Sequence, residues 1–135
     1  MDAHEVPPDP VSQFLGRLKT FRDQFSWHLS RVEGVEASCR ATGPETGNGE
    51  LIGRLAKHKQ DLFHLKAQVA TLERTAPRLR KLLRKAHGIR REQMLSNLET
   101  WIRTVDAEMQ RLSAQLSALA HKVQSNGGHD GHPAH

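Results

Sequence analysis

Residues 78–91 read RLRKLLRKAHGIRR, in which seven of fourteen positions are Lys or Arg and none is acidic. The cations are Arg78, Arg80, Lys81, Arg84, Lys85, Arg90 and Arg91. Their chemistry is charge-assisted hydrogen bonding to carboxylate or phosphate. The candidate partners are therefore an acidic protein surface, a nucleic acid or an anionic membrane. The plain alternative is a solvated helix end whose positive charges suit the C-terminal dipole. Phosphate contacts need only Lys and Arg, which keeps nucleic acid open. No aromatic residue interleaves with these cations, however, so no single-strand stacking platform is indicated. No motif with groove geometry is present either. A membrane-surface role is weaker, because the apolar positions between the charges are claimed by a core.

The nine histidines form no metal-ligand pattern. His129, His132 and His135 recur every third residue in a Gly-rich end that can bind copper, nickel or zinc loosely, but a structural site needs ligands fixed by a fold. His28 and His58 fall on apolar seams. There they read as boundary histidines or as a pH-sensitive core, with stability expected to fall between about pH 7 and 5. The chain has no metalloprotease motif, no nucleophile elbow and no phosphate-binding Gly-rich loop. GPETGNGE lacks the Gly-Lys-Ser/Thr ending and any strand before it. Cys39, the only cysteine, has no readable catalytic partner. The sequence implies no catalysis, no cofactor and no resident metal.

The elements that must position these residues are helical. In 135 residues there are four Phe, two Trp and no Tyr, and Leu, Arg, Ala, Gln, Lys and Glu dominate the middle. That composition belongs to long helices or coiled coils in one domain. No apolar run approaches the ~18 residues that span a bilayer. The opening MDAHEVPPDP lacks the basic and apolar regions of a secretory signal. A single cysteine fits a reducing compartment. Net charge is +5, but eight of the 20 basic residues lie between 74 and 91, leaving twelve against 15 acidic ones elsewhere.

Three seams step alternately by three and four. The first is Val11, Phe14, Leu18, Phe21, Phe25, His28, Val32, Val35, Cys39, behind an Asp9 N-cap and Pro10 at the first helical position. The second is Leu51, Leu55, His58, Leu62, Leu65, Val69, Leu72, Ala76, Leu79, Leu83, Ala86, with Asn48 as a candidate N-cap. The third is Leu95, Leu98, Ile102, Val105, Met109, Leu112, Leu116, Leu119, Val123. This is coiled-coil spacing. It predicts helices over roughly 10–38, 50–87 and 89–125, with a flexible lead at 1–9, a loop at 40–49 and a disordered tail at 126–135. Pro77 lies inside the second seam, where a kink is expected because the spacing continues beyond it.

Helices two and three do not form one rod. Extending the second seam past Ala86 puts Arg90, Gln93, Asn97, Thr100 and Thr104 in the core, and all five are polar. A hairpin at His87-Gly88 removes the conflict, with Gly88 at C′ and Ile89 packing back on Leu83 in a Schellman-type stop. The expected fold is an all-α, antiparallel, left-handed three-helix coiled-coil bundle over 10–125.

This pattern resembles the spectrin repeat, the three-helix module of spectrins, dystrophins, plakins and nesprins. LIGRLAKHKQDLFHLKAQVATLERTAPRLRKLLRKAHG, residues 51–88, looks like that family's second helix. LSNLETWIRTV, residues 95–105, looks like the start of its third helix, with Trp101 in the place of the family's tryptophan. FSWHLSRVE, residues 25–33, looks like the first helix around its hallmark tryptophan, Trp27, which lies one position off the seam through His28. The turn after Gly88 is short for the family. The resemblance implies structural roles for Trp27 and Trp101. It also implies a non-catalytic scaffold or adaptor in the cytoplasm, associated with the cytoskeleton, that presents helical surfaces to protein partners. Two other readings stay open. One is a coiled-coil subunit of a centrosomal, kinetochore or tethering assembly, and the other a basic nucleic-acid-associated protein, for which a nuclear location is open too.

Overall fold

The computed structural model describes residues 9–42 and 48–131. They form three helices, α1 (Pro10–Thr42), α2 (Asn48–Lys85) and α3 (Gly88–Gly131), and each packs on the other two. Cross-helix pairs fix the directions. Asp9 meets Arg80, Arg22 meets Glu73 and Glu36 meets Lys59, so α1 and α2 run antiparallel. Asp61 meets Arg111, and His58 meets Gln115, so α2 and α3 do too. The expected three-helix bundle is the fold.

Burial follows the seams. Every seam position is buried except Val35, Leu72, Leu79 and Leu95, which are half-buried against the core. The three stripes face one another because no helix of this kind can bury its stripe alone. α2 runs unbroken through Pro77. Ala76 and Leu83 stay buried on either side of it, so the register survives the missing hydrogen bond.

The helix ends depart from the expected bounds. α1 reaches Thr42 and α3 reaches Gly131, both past their last seam residue. Once a helix exists, each added residue gains a hydrogen bond at little nucleation cost. The next strong stops in the sequence are Gly43-Pro44 and Pro133. The backbone from 126 to 131 is therefore helical, where a disordered tail was expected. The lead at 1–8, loop residues 43–47 and residues 132–135 lie outside the described residues, as do the side chains of Asn48 and His129.

The α2–α3 turn stops the helix differently from expectation. Gly88 has φ +59°, the left-handed conformation that favours glycine. Ile89, though, is 73% exposed and does not pack on Leu83. Counting back from Leu95 by the α3 spacing puts Arg91, not Ile89, on the inward side. Its Nη1 donates to the Leu83 carbonyl at 2.7 Å, beside the Ala86 N–H that reaches the same oxygen at 3.3 Å, in the last turn of α2. A Cβ at Gly88 would meet nothing within 4 Å. Gly88→Ala therefore costs backbone strain alone, about 1 kcal/mol, while Gly88→Asn, which tolerates this conformation, costs less. Urea denaturation midpoints of the two variants check the ranking.

Candidate functional site

The seven cations divide into two groups. Arg80 and Arg91 hold the bundle together. Arg80 donates through Nε to Asp9 Oδ2 at 2.9 Å and through Nη2 to Ser12 Oγ at 3.0 Å. That contact pins the start of α1 to α2, and the Arg80 guanidinium holds the Asp9 carboxyl below the usual range. Arg91 caps α2 as described. Arg78, Lys81, Arg84, Lys85 and Arg90 are exposed, and none makes an ion pair among the described residues. Exposed Leu82 and Ile89 lie among them. The result is one cationic bundle end with five exposed charges that make no ion pair among the described residues.

The two tryptophans have unlike environments. Trp101 is half-buried, and its ring lies 6.1 Å from that of Phe14, tilted by 56°. Trp27 is 61% exposed, with the Arg31 guanidinium 5.0 Å over its ring. The structural role expected for Trp27 is thus corrected. The 3–4 spacing through Phe25, His28 and Val32 turns position 27 outward, and the spacing prevails over the resemblance. A cation–π contact at an exposed site contributes about 0.5–1 kcal/mol.

A polar layer crosses the core. His28 and His58 are 2% and 1% exposed, and their Nε2 atoms lie 2.9 Å apart. His58 Nδ1 lies 2.8 Å from Gln115 Oε1. An amide oxygen only accepts, so His58 Nδ1–H donates to it, leaving Nε2 as a lone pair that accepts from His28 Nε2–H. Two neutral imidazoles and one amide satisfy this chain. No buried side-chain N or O among the described residues lacks a partner. The layer separates two apolar clusters. One contains Phe14, Leu18, Leu65 and Leu112, and the other Val32, Leu55 and Leu116. Burial, the neighbouring His58 and the Arg31 charge push the His28 pKa down from 6.5 to about 4.

Some of this was not read from the spacing. Glu36 is buried beside the seam and accepts from Lys59 Nζ at 3.0 Å. Gln115 was not singled out. The signal available was position, since Glu36, Lys59 and Gln115 each flank a seam residue. At Cys39, burial and then the Glu36 charge push the thiol pKa up, away from the reactive thiolate. No group of three or more His, Cys, Asp or Glu among the described residues could hold a metal ion. No described helix is long and apolar enough to cross a membrane.

Together these features define an all-α three-helix bundle with one cationic end and a histidine layer in its core. No protein-family model, curated protein or solved structure matches the chain.

Proposed function

We propose that the chain is a non-catalytic scaffold or adaptor module, similar to a spectrin repeat, that docks an acidic protein surface on its cationic end. On this reading it works in the cytoplasm in association with the cytoskeleton. One observation carries it. Arg78, Lys81, Arg84, Lys85 and Arg90 are gathered at one end and make no ion pair among the described residues, on a bundle whose three stripes already bury one another. Five like charges close together repel, and an acidic partner relieves that cost while gaining charge-assisted hydrogen bonds. The half-buried Trp101 and the three in-register seams support the spectrin-repeat likeness, whereas the exposed Trp27 departs from it.

The test compares capture of proteins by the immobilised chain and by a variant with Arg78, Lys81, Arg84 and Lys85 changed to Glu. Arg80 is left intact because it holds Asp9. All four changed side chains are exposed, so circular dichroism should show both chains folded. Capture of acidic proteins should fall at least tenfold. Binding to generic duplex DNA with a steep inverse dependence on salt would instead favour the nucleic-acid reading.

A further inference from the structure

The cationic end continues into a groove between α2 and α3. At its centre Leu72 and Trp101 line a hollow of about 360 Å³. No charged residue lines it, its other walls being Gln68, Thr71, Thr104 and Val105. Positions seven apart on a heptad helix share a face. Exposed Leu82 therefore continues the Gln68 row of α2 toward the turn, and half-buried Met94 continues the Trp101 row of α3. Arg78 and Lys85 lie seven and fourteen residues after Thr71 on one rim, and Arg90 fourteen before Thr104 on the other. The groove is uncharged in the middle and cationic toward the turn. Away from the turn the groove is closed one heptad beyond the hollow by the Asp61–Arg111 ion pair. The other two sides are charged at the level of the hollow and the turn. Ion pairs lace α1 to α2, and Arg17, Glu99 and Arg103 line the α1–α3 groove.

We infer that this groove receives one amphipathic helix of a partner protein, whose apolar stripe anchors over Trp101 and whose acidic residues meet Arg78, Lys85 and Arg90. The inference rests on the docking reading above and names its occupant. Charge complementarity and shape select a helix. The strip runs along two helix axes, and the hollow is the size of one or two side chains. A flat membrane resting on the turn would touch Leu82 and Ile89. It would not reach Trp101, about 18 Å along α3 from Ile89 at 1.5 Å per residue.

The experiment uses the full chain carrying Trp27→Phe, which leaves Trp101 as its only tryptophan. The probe is a synthetic three-heptad peptide with Leu at a and d and Glu at e and g, whose like charges oppose self-pairing. Trp101 emission should shift to the blue in a saturable way, and the affinity should fall at least tenfold in R78E/K85E/R90E. A peptide with Lys in place of Glu should not bind. Unmoved Trp101 emission, an equal affinity in the triple variant, or the same shift produced by phosphatidylserine vesicles would overturn the inference. If the peptide fails while protein capture still depends on the cations, the groove is wrong and the docking reading stands. If capture is also insensitive, both fall.

Discussion

Lowering the pH from 7 to 4 should cost the bundle about 3 kcal/mol through the histidine layer alone. The His28 pKa is about 4 in the fold and 6.5 ordinarily. Between those values the unfolded chain binds a proton that the folded chain refuses. Stability is therefore full above 6.5, declines as the pH falls and levels off near 4. The groups around His28 do not help it ionise. Arg31 on α1 and His58 on α2 oppose its charge, and α3 contributes the neutral Gln115. Carboxylates act lower. Asp9 and Glu108, held below their ordinary values of 3.8 and 4.5 by hydrogen bonds from Arg80 and Arg111, contribute fully above those ordinary values and lose that contribution as the pH falls from them through the depressed ones. The two effects are separable. In a His28→Leu/His58→Leu variant the polar layer becomes apolar, and urea midpoints should be flat between pH 6.5 and 4.5. His28→Leu alone leaves His58 Nε2 buried without its donor, a cost of about 1–3 kcal/mol at pH 7.5. A wild-type midpoint that does not change from pH 7 to 5, or a double variant that keeps the wild-type slope, would refute the layer's role.

Leu112→Ala should be a severely damaging truncation, at about 2–5 kcal/mol. Leu112 is fully buried on α3 in the larger apolar cluster, next to the histidine layer. Helices pinned on both sides cannot collapse fully around the void, so a cavity adds to the lost transfer energy. Leu82→Ala supplies the contrast. It removes the same atoms from a side chain 40% exposed, and its effect should stay within about 0.5 kcal/mol. Urea denaturation at pH 7.5 with an unchanged m-value reads both. Equal costs would mean that Leu82 is buried in solution, by self-association or by a different packing of α2 on α3.

Most of the fold was legible because one physical rule wrote it. Buried positions in a bundle recur every three or four residues, and the three seams name nearly every buried side chain. The same rule located the hairpin, since continuing the second seam would have buried Arg90 and Asn97. It was less informative at edges. Whether Glu36 beside the seam is buried depends on Lys59 reaching it from α2. Asp9 and Arg80 meet only once the relative slide of two helices is set, which spacing within one helix does not specify. Ile89 was placed inside by analogy with a common helix stop, but α3 begins at once after the turn, and its own spacing turns Ile89 out and Arg91 in. Of the candidate site, the charges were legible and their division was not. Only the packed bundle separates Arg80 and Arg91, which hold the α1 start and the α2 end, from the five exposed cations that make no ion pair among the described residues.

The docking reading turns on those five cations, so the most direct measurement is quantitative protein capture at physiological salt by three chains. These are the wild type, the R78E/K81E/R84E/K85E variant, and a control carrying four Glu substitutions at exposed cations away from the turn: Arg40, Lys57, Lys66 and Lys122. The account predicts that acidic proteins captured by the wild type remain on the control and are lost at least tenfold from the first variant. Equal retention on all three, or equal loss from both variants, would contradict it. The first would mean the cationic end is only a solvated helix end, and the second that net charge alone does the binding.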